Sequence, residues 1–209
     1  EKQRNRFLDG VFQDDVEGAL WNYQMINKNR VNSIPDGLSI YKAIAIDPAV
    51  TSSELSDETG IISGGKASNG HYYIFLDRSG IYSPLTWGNI VAQEYRKGYN
   101  KVIGEANNGG DLIESNLKAV DPSISYQKVW ASSGKIKRAE PVAALYEQGL
   151  VHHVGYFTQL ESEMTEYTGS DGEKSPNRLD ALVWLINFLL MMEEAANIIP
   201  TYKLRPTRI

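Results

Sequence analysis

The sequence has 209 residues, enough for one sizeable domain with a buried core, and its 42% hydrophobic content is ordinary for a globular protein. It contains no cysteine, which excludes disulfides, zinc sites built on thiolates and a cysteine nucleophile. The formal net charge of −5 argues against a protein that coats nucleic acid through overall positive charge, although a local basic cluster remains compatible with DNA contacts.

The longest apolar run lies near residues 181–192 and is about half as long as the roughly 20 residues that cross a bilayer. Asn187 interrupts this run. The run therefore predicts a core helix, and we expect no membrane association.

The first 37 residues are predicted to be a linker or N-terminal arm. Gly10 and Gly18 weaken any long helix here, and an Asn-rich stretch at 22–32 leads into turn residues at 33–37. The alternative is an ordinary arm packed on the core. The sequence opens with charged residues at 1–6 and lacks an initial Met, so we expect a fragment of a longer protein.

Three strand signals follow in close succession, at residues 39–46, 59–65 and 71–77. Pro48 ends the first strand, because proline cannot donate to a central ladder. The turn at Ser68, Asn69 and Gly70 has hairpin chemistry. These signals predict an antiparallel meander.

The remaining chain alternates between helix and strand patterns. The predicted helices cover 84–97, 111–120, 140–148 and 158–165, followed by a long final helix with Ser175 as N-cap and Pro176 in its first turn. The predicted strands cover 101–105, 125–131 and 151–154. We therefore predict an α/β domain over 38–197, with a mixed sheet flanked by helices and a C-terminal tail at 198–209.

Three acids occupy positions where a carboxylate is costly unless it is paired or holds a metal. Asp47 ends the apolar first strand, Glu105 ends the strand at 101–105, and Asp180 lies at the start of the apolar final helix. Hard oxygen ligands from separate elements can hold two divalent ions about 4 Å apart. The pattern predicts a metal site, with Asp57 as a further candidate ligand or, alternatively, part of a solvated loop.

A basic cluster of Lys135, Lys137 and Arg138 follows the strand at 125–131. It can hold a phosphate or the DNA backbone, and the alternative is an exposed flexible loop. His152 and His153 are neighbours in a predicted strand, where successive side chains face opposite sides, so they cannot chelate one ion.

Two further acids have simpler interpretations. Glu58 is predicted to lie in a solvated loop before the second strand. Asp77 ends the third strand, where a structural turn or an ion pair explains it.

Seven segments of the sequence carry motifs, in the order EGALW at 17–21, IAIDPA at 44–49, DETGI at 57–61, VIGEANNGGD at 102–111, GKIKRAEPV at 134–142, ALYEQG at 144–149 and SPNRLDALVW at 175–184. The last six, in this order, resemble the nuclease domain of bacteriophage large terminase subunits. The first is similar to the end of that family's linker from the ATPase domain.

The resemblance implies an RNase H-like fold and an endonuclease that uses two Mg²⁺ or Mn²⁺ ions to cut concatemeric double-stranded DNA when capsid filling begins and ends. It places Asp47, Glu105 and Asp180 at the family's three acidic positions, with Asp47 bridging the ions. It also implies that Asp57 assists the metal and that Lys135 contacts phosphate.

The resemblance further implies the partners and the location of the protein. An ATPase domain of the same polypeptide would precede residue 1, and the small terminase subunit and the portal protein would be partners. The expected location is the cytoplasm of the host cell, at the procapsid during packaging.

Other functions remain open. A Holliday-junction resolvase or an RNase H shares the expected fold, and a portal-docking module with latent nuclease activity is a non-enzymatic alternative. A sugar-kinase-like or actin-like nucleotide binder also has an acid after its first strand, but it requires glycine-rich phosphate turns and a duplicated domain.

Overall fold

The computed structural model describes residues 16–48, 58–106, 110–131, 133–170, 172–173 and 175–198. Within these residues the strands are β1 (Ile40–Asp47), β2 (Gly60–Ala67), β3 (Tyr72–Asp77), β4 (Lys101–Glu105), β5 (Tyr126–Val129) and β6 (Val151–His153). The helices are α1 (Tyr23–Lys28), α2 (Pro84–Tyr95), α3 (Gly110–Val120), α4 (Lys135–Glu147), α5 (Thr158–Glu166) and α6 (Asn177–Ile198).

The strands form one mixed sheet in the order β5-β4-β1-β2-β3-β6. Strand β2 is antiparallel to both β1 and β3, whereas β4 pairs parallel with β1 and β5, and β6 pairs parallel with β3. The carboxyl ends of five strands therefore lie at one edge, which we call the carboxyl edge. This arrangement confirms the predicted meander followed by parallel strands.

The alternation of side chains in β1 divides the core between the two faces of the sheet. Ala43 and Ala45 belong to the cluster that includes residues of α4, α5 and α6, whereas Ile44 and Ile46 belong to the cluster formed with α2 and α3. Successive strand residues face opposite sides, so the apolar run of β1 is buried on both. Small residues on one face and large ones on the other bring α6 close to the sheet.

The start of α6 packs especially close to β2. A Cβ atom added at Gly60 would clash with the backbone oxygen of Asn177 and would lie 3.1 Å from the Cβ of Ala181. Glycine is therefore required for the observed packing, because a larger residue would displace the helix. Gly60 pairs with Asp47, so this contact brings the first turn of α6 to the end of β1.

The start of α4 differs from the prediction. The helix begins at Lys135 rather than at 140, with Gly134 as its N-cap, and Pro141 lies inside it. The sequence prediction placed Pro141 in the first turn, where proline is favoured. Pro141 has no N–H, so the carbonyl of Lys137 has no partner within the helix. Lys137 and Pro141 are both exposed, and this carbonyl therefore lies on the solvent side of α4.

The N-cap predicted for α6 was wrong. Asp180 donates its backbone N–H to the carbonyl of Pro176 at 3.0 Å, which gives Pro176 the capping position. The hydroxyl of Ser175 is buried and has no hydrogen-bond partner. The first turn is capped from another helix instead, because Glu163 Oε2 accepts the backbone N–H of Leu179 at 3.3 Å.

Part of the predicted linker packs on the domain. Trp21 and Ile26 belong to the core, and the ring of Trp21 makes an edge contact with Tyr146 at 6.3 Å between centroids. Residues 16–31 thus fit the alternative of a packed arm, while their connection to a preceding ATPase domain stays a prediction.

No helix within the described ranges is long and apolar enough to cross a membrane.

Candidate active site

Asp47 and Glu105 end two neighbouring parallel strands. Ile46 pairs with Gly104, so Asp47 and Glu105 follow at the next position of β1 and β4. Side chains two positions earlier, at Ala45 and Ile103, lie in the core on the α6 face. Because residues two apart in a strand share a face, both carboxylates project toward α6.

Asp180 approaches the same edge from α6. It lies in the first turn of the helix, where the helix dipole favours a negative charge. Its side chain is only 8% exposed, and Lys135 Nζ donates to Asp180 Oδ2 at 2.5 Å. The structure thus brings together a residue from β1, one from β4, one from α6 and a lysine from α4.

The electrostatics of Asp47 show that these groups act on each other. Burial, together with the negative charges of Asp180 and Glu105, raises the pKa of Asp47 to about 7, although the positive charges of Lys135 and Arg138 act in the opposite direction. Like charges placed this close disfavour ionisation of each other unless a cation joins them.

The basic residues lie on the first two turns of α4 rather than in a flexible loop. Lys135 and Lys137 are exposed, but Arg138 is partly buried with its guanidinium 4.6 Å from the ring centroid of Trp184. Arg138 Nη1 also donates to the carbonyl of Ser133 at 2.7 Å. Lys137 is therefore accessible to a phosphate, whereas Lys135 is paired with Asp180 and Arg138 is largely engaged in packing.

Comparison with protein-family models gives a match over residues 44–189, more than half of the chain, to the family described as the terminase RNaseH-like domain. The chain belongs to this terminase family. The match contains all three acids, and it confirms the resemblance predicted from the sequence. Among curated proteins, none matches this sequence.

Solved structures of terminases share the fold of this terminase domain. The large terminase of a thermophilic bacteriophage superposes with a TM-score of 0.61 at 12% identity, covering 86% of this chain and 47% of that one. The large terminase nuclease of the thermophilic phage G20c with bound magnesium has a TM-score of 0.55 at 14% identity, covering 82% and 98%.

The human cytomegalovirus terminase nuclease domain, soaked with manganese and bound to an inhibitor, gives a TM-score of 0.50 at 12% identity, covering 79% of this chain and 91% of that one. At these identities the likeness shows the fold alone. The chain spans about half of the length of the first of these relatives, the large terminase of a thermophilic bacteriophage.

The chemistry of the three acids fits a divalent metal. In the described part of the terminase domain, no three His, Asp or Glu side chains are arranged closely enough to hold an ion, and Lys135 pairs with Asp180 instead. Carboxylate oxygens are the ligands that Mg²⁺ and Mn²⁺ prefer, and their mutual repulsion around Asp47 would be relieved by a cation. Asp57 lies outside the described residues, so its role as a ligand stays a prediction.

Sequence reasoning missed Arg178, which anchors the turn of α6 that carries Asp180. Its side chain is 4% exposed, and it donates to Asp77 Oδ2 at 3.2 Å, to Glu163 Oε1 at 2.9 Å and to Glu58. Asp77 therefore makes an ion pair as predicted. Glu58 was expected in a solvated loop but pairs with Arg178. An arginine in an otherwise apolar helix was the available signal.

The histidines are separated as predicted. His153 is buried, with Nδ1 donating to Glu161 at 2.9 Å and Nε2 accepting from the hydroxyl of Tyr146 at 2.7 Å. His152 faces the other side and pairs with His71 at 2.7 Å. In this terminase domain the histidines stabilise the fold at a distance from the three acids.

Proposed function

We propose that this chain is the metal-dependent endonuclease domain of a viral DNA-packaging motor. It hydrolyses phosphodiester bonds of concatemeric double-stranded DNA at the initiation and termination of capsid filling. The observation that carries the proposal is the convergence of Asp47, Glu105 and Asp180 at the carboxyl edge of a terminase-family fold.

The three carboxylates are the proposed ligands of two Mg²⁺ or Mn²⁺ ions, with Asp47 between the other two. Such ions, when bound, activate a water and stabilise the negative charge of the leaving oxygen. The magnesium bound to the G20c relative and the manganese soaked into the cytomegalovirus relative support this choice of metal. No protein nucleophile is required.

Lys135 has a double role in this proposal. Its ammonium group neutralises Asp180 in the structure described, and a cation bound at Asp180 would replace it. The released side chain, which is 48% exposed, can then bind the phosphate of the DNA. Exposed Lys137 is positioned to contact the backbone of the same strand.

Family membership supports a proposal about the partners. We propose that an ATPase domain of the same polypeptide, the small terminase subunit and the portal protein act with this domain. The proposed location is the host cell cytoplasm, at the procapsid during packaging.

Cleavage of supercoiled plasmid with Mg²⁺ or Mn²⁺ tests the activity. Asp47→Ala and Asp180→Asn are expected to abolish cutting, whereas Glu147→Gln, which removes an exposed acid at the far end of α4, should cut like the wild type. Full Mg²⁺-dependent cleavage by Asp47→Ala would contradict the assignment of the three acids as the metal ligands of the nuclease.

Two other outcomes identify the alternatives. Cutting confined to branched DNA or RNA–DNA hybrids would favour a Holliday-junction resolvase or an RNase H. Failure to bind divalent metal at millimolar concentration in calorimetry would favour a portal-docking module whose nuclease activity is latent.

A further inference from the structure

The first turn of α6 is held by contacts with other parts of the chain. Asn177 donates its side-chain amide to the carbonyl of Glu58. Leu179 is buried in the core, and Glu163 Oε2 accepts its backbone N–H at 3.3 Å. The first N–H groups of a helix have no partner within it, so this contact caps the turn from α5. The position of Asp180 in this turn therefore depends on groups outside α6.

Arg178 joins the turn to three other parts of the chain. Its side chain is 4% exposed and pairs with three acids, Asp77 at the end of β3, Glu163 of α5 and Glu58 just before β2. Arg178 Nη2 also donates to Gln159 Oε1 of α5 at 2.8 Å. A guanidinium carries five N–H donors in a rigid fork, so it holds several acceptors in one fixed geometry.

Arg178 acts on Asp180 through the backbone of the helix. The two residues are two positions apart, so at 3.6 residues per turn their side chains leave α6 about 160° apart. Arg178 faces α5 and the end of β3, whereas Asp180 faces Lys135 of α4 and the charge of Asp47. Ligands must be held within about 0.5 Å of the productive geometry, so a shift of the turn would disturb the acidic cluster.

We propose that Arg178 is a positioning residue that sets the metal affinity of the acidic cluster by fixing the place of Asp180. This inference rests on the proposed function, because that function makes the three acids metal ligands. Loss of a group that orients a metal ligand typically lowers the affinity by about 10- to 100-fold. Mg²⁺ demands near-ideal octahedral geometry and Ca²⁺ accepts flexible geometry, so the loss should be larger for Mg²⁺.

The chain offers a matched control for Arg178. Arg30 is also a buried arginine, with a side chain 7% exposed, and it pairs with Glu161 of the same helix α5. Removal of either arginine leaves a carboxylate of α5 without its cation and destabilises the fold. Of the two, only Arg178 belongs to the turn that carries Asp180. A role confined to stability would therefore give the same metal affinity in both variants.

Calorimetry with Mn²⁺, at a temperature where circular dichroism shows each protein folded, tests the inference. Arg178→Met should bind Mn²⁺ about tenfold more weakly or worse, and Arg30→Met should bind it like the wild type. Arg178→Lys, which keeps the charge without the fork, should lie between them and should lose more affinity for Mg²⁺ than for Ca²⁺ when these ions displace Mn²⁺. Wild-type affinity in both Arg178 variants, or equal losses in Arg178→Met and Arg30→Met, would overturn the inference.

Hydrogen exchange in metal-free buffer provides a second measurement. Asp180 donates its N–H to the carbonyl of Pro176 at 3.0 Å, so its exchange reports opening of the first turn. Glu163→Gln keeps the size of the side chain but turns one of its two accepting oxygens into a donor group. It should speed exchange at Asp180 relative to the amides of β1, and Arg30→Met should not. Unchanged exchange in Glu163→Gln would contradict the positioning role, even where Arg178→Met does not fold.

The two proposals fail in different ways. A protein that cuts plasmid, and whose Arg178 variants bind Mn²⁺ as tightly as the wild type, remains a nuclease without this positioning residue. A protein that cuts no DNA but binds Mn²⁺ with an affinity that depends on Arg178 keeps the positioning residue and loses the nuclease assignment.

Discussion

Two carboxylates of this domain, Asp47 and Glu161, have opposite electrostatic surroundings. Glu161 is buried, but it accepts hydrogen bonds from Arg30 at 2.6 and 3.0 Å and from His153 at 2.9 Å. Burial raises its pKa, and the hydrogen bonds from His153 and Arg30 outweigh burial and lower the pKa to about 2. Asp47 faces two other acids, and burial together with their charges raises its pKa to about 7.

The difference distinguishes a structural charge, Glu161, from a charge that we propose to be functional, Asp47. The Glu161 cluster, which we define as Arg30, Tyr146, His153 and Glu161, satisfies its charges internally and joins the N-terminal arm to β6 and α5. The acidic cluster of Asp47, Glu105 and Asp180 leaves excess negative charge at the carboxyl edge. An unsatisfied cluster of this kind fits a site that is completed by a cation.

The largest effect is expected on activity when the charge of Asp47 is removed. Asp47→Asn should lower metal-dependent cleavage by about a thousandfold or more, because a neutral amide is a poor ligand for Mg²⁺ and the metal contributes several kcal/mol to catalysis. The same variant should unfold in urea at a concentration no lower than the wild type. Cleavage near the wild-type rate by Asp47→Asn would contradict a role of Asp47 in the reaction, and with it the functional difference from Glu161.

The next effect is on stability, in the Glu161 cluster. Arg30→Met leaves Glu161 buried without its main cation, so the free energy of unfolding should fall by about 3–5 kcal/mol. Arg96→Met is the control, because Arg96 is 60% exposed in its pair with Asp121 and should cost less than about 1 kcal/mol. Equal losses for the two variants in urea unfolding would contradict a structural role for the cluster.

A smaller effect concerns the pH dependence of stability in metal-free buffer. The folded-state pKa of Asp47 is raised above its ordinary value of 3.8, so its contribution is fully present below that value and is lost as pH rises through about 7. Relative to Asp47→Asn, the wild type should lose about 3 to 4 kcal/mol of its free energy of unfolding between pH 4 and pH 8.

Glu161 should behave in the opposite sense. Its folded-state pKa is lowered from 4.5, so its stabilisation is present above 4.5 and is lost as pH falls through about 2. Urea unfolding across the pH range checks both predictions, a loss of stability with rising pH from Asp47 and a loss with falling pH from Glu161. If the free energies of unfolding of the wild type and Asp47→Asn differ by the same amount at every pH, the raised pKa of Asp47 and its contrast with Glu161 would be contradicted.

The smallest effect is expected at the ion pair between the acidic cluster and α4. Lys135→Gln frees Asp180, so affinity for Mn²⁺ should rise by no more than about fivefold, the value of a partly exposed ion pair. Lys137→Gln should leave metal affinity unchanged, and both variants should bind DNA more weakly. Calorimetry with Mn²⁺ distinguishes the two variants. A fall in metal affinity for Lys135→Gln would contradict competition between Lys135 and the metal ion for Asp180.

Local patterns determined much of the architecture. β4 was predicted at residues 101–105 and is found at Lys101–Glu105, because a short apolar run bounded by polar residues has few other conformations. The acids that end β1 and β4 and begin α6 were also visible in the sequence, since charges next to apolar runs stand out. The family resemblance then related these three acids to one another.

The sequence by itself thus determined the order of strands and helices from β1 onward and the three acids that lie at the carboxyl edge, whereas α1 was predicted as part of a linker. Only the tertiary structure decided that Lys135 pairs with Asp180, that Arg178 anchors the first turn of α6, and that Arg30 joins the arm to Glu161. The Lys135–Asp180, Arg178–Asp77 and Arg30–Glu161 partners are 45, 101 and 131 residues apart in the chain. Local propensity carries no information at such separations, and close packing of the helices against the sheet selects the contacts instead.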